Sequence, residues 1–176
     1  REYIDDTERF LADLEKKEEI SAFICSLWDT LAKADGCGLA APQVGVSQRI
    51  FIVDGTVVAD TYDYLKDFKR TMINPQIVEE SAECCTYSEG CLSIPGIYAD
   101  VVRPDSITVR YFNEDFKEVT EKFDKFGCRM VQHELSHLDG VVFTDLVAPI
   151  RKKMISKKLQ NIAHGKVSAH YNCKIK

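Results

Sequence analysis

The segment Gln132-His133-Glu134-Leu135-Ser136-His137 decides our interpretation of this chain. It contains the pattern His-Glu-x-x-His, and positions i and i+4 of a helix lie one above the other on the same face. His133 and His137 can therefore reach one metal ion from a single helix. Glu134 follows the first histidine, and a carboxylate there can take a proton from water that the ion holds. The segment predicts a metal-dependent hydrolase with Glu134 as its proton acceptor.

A solvated helix face with two histidines is the plainer interpretation of this pattern. The chain holds only four histidines, and two of them lie in this segment. A catalytic divalent ion usually takes three protein ligands and keeps one position open. The downstream candidates form no recognisable third-ligand motif; they are His164, His170, Asp139 and Asp145.

A better third ligand lies upstream, in Glu89-Gly90-Cys91-Leu92-Ser93-Ile94-Pro95. Cys91 is flanked by Gly and Pro there, and glycine lets the backbone approach a ligand closely. We therefore predict one ion held by Cys91, His133 and His137.

Hydrophobic periodicity predicts helices on both sides of a set of short strands. Glu18 to Ala34 has apolar residues at spacings of three and four and ends at Asp35-Gly36, and Asp6 or Thr7 is a candidate cap for a shorter helix before it. Residues 36–43 are predicted to form a loop and residues 60–69 an inserted loop. The predicted strands cover residues 49–53, 71–77, 84–87, 98–102, 107–112 and 118–123, and the later helices residues 125–138 and 149–163.

This order of elements predicts an α+β fold. The order also places an N-terminal helix before the strands and a C-terminal helix after them. The predicted division is a catalytic domain at 1–148, with a basic C-terminal helix and tail at 149–176 packed on the same domain.

Composition narrows the class of protein. The 176 residues fit one domain, and no apolar run approaches the roughly 20 residues that cross a bilayer. Seven cysteines, an odd number, are typical of free thiols in a reducing compartment, which favours the cytoplasm. Because the sequence begins without Met, it leaves open whether an organellar targeting segment precedes residue 1.

Charge is distributed unevenly along the chain. The net charge is −5, yet residues 149–176 carry eight Lys or Arg and no acidic residue. A basic C-terminal segment of this kind is typical of contact with an anionic partner such as nucleic acid, or of a solvated helix docked on an acidic body.

Three motifs together resemble the signatures of the peptide deformylases. They are Gly-x-Gly-Leu-Ala-Ala-x-Gln at 36–43, Glu-Gly-Cys-Leu-Ser at 89–93 and Gln-His-Glu-x-x-His-Leu-x-Gly at 132–140. They stand in the family's order, and the similarity runs from about Ile20 to Phe143. The resemblance implies a fold in which mixed or antiparallel strands pack around the central helix that carries His-Glu-x-x-His. It implies hydrolysis of the N-formyl group from N-formylmethionyl nascent peptides, with release of formate. It also implies one divalent ion, Fe²⁺ in the cell and Zn²⁺ or Ni²⁺ in purified protein.

The resemblance also assigns roles to further residues. Gln43 and the Leu92 backbone N–H would stabilise the oxyanion, and Gly38 and Gly90 would bind the substrate backbone. Cys37 and Met130 would form the pocket for the methionine side chain. Glu89 and Arg103 would form a pair that supports the metal-binding loop.

Three positions depart from the family pattern. Ser136 stands where Asp is usual, Tyr98 where some bacterial members have Arg, and Arg129 where an apolar residue is common. We expect the hydrogen bond made at Ser136 to be weakened or rerouted, and substrate preference beyond methionine stays open.

Two other functions and one partner follow from the same sequence. A zincin-like metallopeptidase shares the helix motif but needs a downstream third ligand, and a non-catalytic deformylase-like binding module would keep the fold alone. The family and the basic tail imply docking of the C-terminal helix on the ribosome, whereas no membrane contact is expected. The oligomeric state is not set by the sequence.

Overall fold

The computed structural model describes residues 17–171, so the short helix predicted near Asp6 or Thr7 lies outside the described residues. Four α-helices are present there: α1 (Lys17–Ala34), α2 (Lys125–Leu138), α3 (Phe143–Leu146) and α4 (Pro149–Ala163). The seven strands are β1 (Gly38–Ala40), β2 (Ile50–Asp54), β3 (Lys69–Glu80), β4 (Cys84–Cys91), β5 (Ile94–Pro104), β6 (Ser106–Phe112) and β7 (Glu118–Asp124).

The strands form two antiparallel sheets. Five of them pair in the order β1-β2-β3-β6-β7, and β4 pairs with β5 as a separate hairpin. In the hairpin, Glu89 lies opposite Ala99, and the register shifts between Gly90 and Cys91. That irregularity bends the backbone at the predicted metal ligand, because a bulge re-aims the side chains beside it.

The large sheet is covered on both faces, which explains the unbroken apolar run in β2. Phe51 and Val53 pack in a cluster with Val131 and Leu135 of α2. Residues alternate across a strand, so Ile50 and Ile52 face the other way and pack with helix α1. Helix α2 is thereby fixed against the sheet, which holds its histidines in place.

A third cluster joins the hairpin to the C-terminal helices. Ile97 and Val101 of β5 pack against Phe143 of α3 and Ile155 of α4. The hairpin is therefore clamped from outside, with its Cys91 end directed towards α2.

The predicted α+β class is confirmed, and helices α2 and α4 begin and end where periodicity placed them. Helix α1 is already formed at Lys17, the first described residue, which agrees with the helix predicted from Glu18, and it ends before Asp35, whose φ of 54° breaks the helix. None of the helices within residues 17–171 is both long enough and apolar enough to cross a membrane.

Two predicted loops were wrong in part. Residues 36–43 contain strand β1 and the start of a 3-10 helix, Ala41–Val44, rather than a loop throughout. A three-residue strand is too short to show a period, and only its pairing with β2 defines it. The 60–69 segment contains a 3-10 turn at Asp63–Leu65 with a buried Leu65, and its last residue opens β3.

Candidate active site

The three predicted metal ligands meet at one point. His133 and His137 lie one turn apart on α2, with ring centroids 5.0 Å from each other. Cys91, at the end of β4, brings its Sγ to 3.2 Å from His137 Nε2. One ligand atom from each of the three residues lies within 4.8 Å of the others. This trio is the one such group found in the described part of the chain.

The donor set suits a divalent transition metal. One thiolate sulfur and two imidazole nitrogens are ligands that Zn²⁺ and Fe²⁺ accept, and three protein ligands leave a position for substrate or water. The two other histidines do not contribute. His164 Nδ1 contacts the Gln160 carbonyl, and His170 Nε2 contacts the Ala34 carbonyl.

Glu89 orients the first histidine. Its Oε2 lies 2.8 Å from His133 Nδ1, so an N–H at Nδ1 leaves Nε2 free for a metal ion. Burial lowers the pKa of His133, but hydrogen bonds with Cys91 and Glu89 outweigh burial and raise that pKa to about 10. A metal ion competes with the bound proton, because imidazole coordinates in its neutral form.

Two arginines hold Glu89 in turn. Arg103 donates from Nε and NH2 to the two carboxylate oxygens, at 2.8 and 3.0 Å. Arg129 donates from NH1 to Oε1 at 2.6 Å. Burial raises the pKa of Glu89, but its hydrogen bonds with His133, Arg103 and Arg129 outweigh burial and hold it well below the ordinary value. Glu89 is therefore a permanent acceptor at neutral pH.

Ser136, the first departure from the family pattern, keeps contact with this network. Its Oγ accepts a hydrogen bond from Arg103 NH1 at 2.8 Å and donates to the Gln132 carbonyl at 2.9 Å. Ser136 thus gives Arg103 a neutral acceptor, where an aspartate would have supplied a counter-charge.

His137 is placed differently from His133. Burial is the main cause that lowers its pKa to about 4, with the charges of His133 and Arg103 acting in the same direction. It is therefore neutral at physiological pH and ready to coordinate.

The Glu134 carboxyl is buried beside the ligands. The residue is 4% exposed, and its Oε2 has no hydrogen-bond partner within residues 17–171. Burial raises its pKa to about 7, with the Glu89 charge adding to the shift and His133 opposing it. A carboxyl with a pKa near neutrality both accepts and returns protons readily.

Because Gly38 has no side chain, the Glu134 side chain can occupy the space beside it. A Cβ built on Gly38 would lie 2.8 Å from Glu134 Cδ and 2.9 Å from Glu134 Cγ. Strand β1 therefore needs glycine at this position, because any side chain would displace the carboxyl group.

We expect Gly38→Ala to lower kcat/KM by about 10²-fold, since shifting a catalytic group by about 1 Å costs that much. Gly127→Ala is the matched control. Its Cβ would meet Phe68 at an ordinary 3.4 Å, and alanine stabilises a helix interior by about 0.5–1 kcal/mol relative to glycine. Steady-state kinetics and urea unfolding of both variants check this. Equal activity in the two variants would contradict the tight Gly38–Glu134 contact.

Gln43 faces the metal ligands from the 3-10 helix Ala41–Val44. The Ala40 backbone N–H donates to its Oε1 at 2.8 Å, which fixes the direction of the amide. Its Nε2 then lies 3.0 Å from Ser93 Oγ and 3.7 Å from Cys91 Sγ. The amide N–H group therefore points towards the Cys91 loop.

A cavity of about 480 Å³ opens beside these groups, within the range of small-ligand sites. Two predicted site residues, His137 and Arg103, lie behind its wall. The other ten line it: Cys37, Gly38, Gln43, Glu89, Gly90, Cys91, Leu92, Met130, His133 and Glu134.

The C-terminal segment adds a wall that the sequence did not predict. Residues 168–171 line the same cavity. The Tyr171 hydroxyl donates to the Leu92 carbonyl at 2.6 Å, and His170 reaches the end of α1 at Ala34. No motif marks this segment, and its place follows only from how the chain returns after α4.

Comparison with known proteins agrees with this geometry. The family model described as polypeptide deformylase matches residues 6–153. The chain belongs to the peptide deformylase family. A deformylase of Flavobacterium johnsoniae is 45% identical over 158 residues, covering 86% of this chain and 81% of that protein. One from Cytophaga hutchinsonii is 41% identical, covering 92% and 88%.

Solved structures of the family are similar as well. A plant peptide deformylase superposes with a TM-score of 0.76 at 29% identity, covering 84% of this chain and 78% of that one. The Plasmodium falciparum enzyme gives a TM-score of 0.76 at 30% identity, covering 84% of each chain. The three signature motifs thus belong to a deformylase fold.

Proposed function

We propose that this chain hydrolyses the N-formyl group of N-formylmethionyl nascent peptides and releases formate. The observation that carries the proposal is the meeting of Cys91, His133 and His137 beside a buried Glu134 at one wall of a peptide-sized cavity. Formyl transfer to water needs a polarised carbonyl, a proton acceptor and a donor to the leaving amine, and each requirement has a candidate group here.

A divalent ion bound by the three ligands would supply Lewis acidity, polarising the formyl oxygen and making water more acidic. We assign Fe²⁺ to this role in the cell, with Zn²⁺ or Ni²⁺ in purified protein. The thiolate and two neutral imidazoles reduce the charge of such an ion from +2 to a net +1, which still favours an electron-rich oxygen.

Glu134 moves the proton. Its carboxylate accepts a proton from the attacking water and then delivers it to the amine nitrogen as the C–N bond breaks. The products are formate and the free methionyl amine, so one water is consumed for each bond cleaved. The buried position of Glu134 against Gly38 keeps competing solvent away from this step.

Gln43 and Leu92 stabilise the oxyanion in this proposal. The Gln43 amide N–H group and the Leu92 backbone N–H donate to the developing negative charge, and loss of one such donor costs about 10²–10³ in rate. Orientation of Gln43 by the Ala40 N–H supports this role, because the donor is positioned before substrate arrives.

The substrate peptide enters in extended form. Gly38 lies on β1, an edge strand, and Gly90 lies on β4 of the hairpin; both line the cavity, where an extended peptide would add as a further strand. Cys37 and Met130 then contact the methionine side chain. Both lie on the cavity wall, with Met130 buried and Cys37 partly so.

Formate release from a formyl-Met tripeptide, measured without oxygen on protein carrying one metal per chain, tests the function. We expect one formate per free amine and no cleavage of internal peptide bonds, with the acetyl-Met tripeptide as control. Internal cleavage would favour a zincin-like peptidase. No release with the metal fully bound would favour a binding module.

We also propose that helix α4 docks the enzyme on the ribosome, where nascent chains emerge, and that the enzyme works in the cytoplasm. Ile155 is the one buried residue of this helix. The basic side chains point outward, and Lys153, Lys157 and Lys158 are exposed. The rRNA phosphates are the matching partner for such a surface.

Replacing Lys153, Lys157 and Lys158 by Gln is expected to weaken ribosome binding and flatten its salt dependence. Each lost phosphate contact removes about 0.7–0.9 from the slope of log K against log salt. The matched control replaces three other exposed lysines, Lys33, Lys66 and Lys122. Equal weakening by both sets would indicate general charge attraction rather than docking through α4.

A further inference from the structure

Helix α2 carries a third functional side chain in line with its two histidines. Arg129, His133 and His137 follow one another at intervals of four residues, so they share one face of the helix. Arg129 is 2% exposed, which is rare for a charged residue unless it is paired. Its guanidinium therefore has a specific set of partners.

The guanidinium contacts both strands of the β4–β5 hairpin. NH1 donates to Glu89 Oε1 at 2.6 Å and to the Val101 carbonyl at 3.0 Å, and NH2 donates to the Cys85 carbonyl at 2.9 Å. The Tyr87 ring lies 5.2 Å from the guanidinium carbon. These contacts hold the guanidinium against the hairpin, while its buried Nε has no hydrogen-bond partner among residues 17–171.

The carboxylate of Glu89 is held on two sides by this arrangement. Oε1 accepts from Arg103 Nε and from Arg129 NH1, while Oε2 accepts from Arg103 NH2 and faces His133 Nδ1. Arg103 is itself tied to Ser136 Oγ. The two-point contact with Arg103 orients the plane of the carboxylate. Arg129 adds a third hydrogen bond from a charged donor at Oε1, on the oxygen that does not face His133.

Charge in the cluster points the same way. Two buried guanidiniums, from Arg103 and Arg129, share the single carboxylate of Glu89, and Ser136 supplies no counter-charge to either. Charge-assisted hydrogen bonds are roughly twice as strong as neutral ones. Both ion pairs therefore stabilise the Glu89 carboxylate in one position, the position that faces His133.

We propose that Arg129 is a positioning residue for the metal ligand His133 and acts through Glu89. It fixes the carboxylate, the carboxylate fixes the N–H at Nδ1, and Nε2 is thereby directed at the metal position. The proposal rests on the metal site assigned above. It gives a buried charged side chain of helix α2 a task at the metal centre.

A purely structural role is the alternative, because Arg129 also ties α2 to the hairpin through Val101 and Cys85. That role would affect stability but not the affinity of the site for metal. The two roles therefore predict different zinc affinities for Arg129 variants, and only the positioning role makes that effect depend on Glu89.

Zinc affinity, measured by chelator competition, separates the two roles. Loss of an outer partner of a metal-binding histidine weakens affinity by about 10–100-fold, and we expect this for Arg129→Met. Arg129→Lys keeps the charge, and its zinc affinity should lie between those of wild type and Arg129→Met. If Arg129→Met does not fold, Arg129→Lys is the test variant. The control is Arg70→Met, which removes a guanidinium paired with Glu121 on the large sheet.

Coupling gives the second readout. In a Glu89→Gln background, Arg129→Lys should change the zinc Kd by less than about threefold, since the path to His133 is already cut. Nitrogen-15 NMR of zinc-loaded wild type should show the His133 proton on Nδ1, with a second tautomer in Arg129→Lys. Wild-type zinc affinity in both Arg129 variants would overturn the Arg129 proposal. Absence of zinc binding by wild type would instead overturn the metal site.

Discussion

Glu134→Gln should lower kcat/KM for a formyl-Met peptide by about 10²–10⁴-fold, the usual contribution of general acid–base catalysis. The amide keeps the shape of the carboxyl group but can neither accept nor return the proton. Bound metal should stay at one per chain, because Cys91, His133 and His137 are unchanged. Formate release and metal analysis of the same preparation measure both quantities.

The same substitution should not lower stability. Glu134 Oε2 is buried without a partner in the described residues, and burial raises its pKa to about 7. Removing a charge from such a place relieves a desolvation cost. Glu118→Gln, at an exposed position of β7, is the control for activity and for stability. Activity within threefold of wild type in Glu134→Gln would exclude Glu134 as the proton carrier.

Glu89→Gln should have the largest effect on stability. It leaves the guanidiniums of Arg103 and Arg129 buried without a counter-charge, and breaking a buried pair in this way costs about 3–5 kcal/mol. Urea unfolding of the metal-free protein at pH 7 measures the loss, and Glu118→Gln is again the control, with a change below about 0.5 kcal/mol.

The pH dependence of that loss has a defined sign. The folded-state pKa of Glu89 lies below the ordinary value of 4.5, so its stabilisation is complete above that value and declines as pH falls below it. The difference in free energy of unfolding between wild type and Glu89→Gln should be about 1.4 kcal/mol smaller at pH 3.5 than at pH 7. A gap that widens on acidification would contradict the assigned charge state.

The sequence predicted most of the site because its ligands carry strong local patterns. The i, i+4 spacing places His133 and His137 on one helix face, and the Gly-flanked Cys91 supplies the third ligand. Helix α2 was predicted to the residue, since its apolar spacing continues from Lys125 to Leu138. Strong local periodicity and the final packing agree there.

The parts that were missed depend on contacts between distant residues. Strand β1 is defined by pairing with β2, and three residues show no period of their own. The contact between Arg129 and Glu89 joins residues 40 apart on different elements, and no local pattern marks it. The Tyr171 contact with Leu92 spans 79 residues and has no motif.

X-ray absorption at the zinc edge of zinc-loaded protein tests the central claim, a single ion held by Cys91, His133 and His137. We predict one sulfur at about 2.3 Å and two nitrogens at about 2.0–2.1 Å. The sulfur signal should disappear in Cys91→Ser. A sulfur-free spectrum for wild type, or a sulfur signal that persists in Cys91→Ser, would contradict the proposed metal centre.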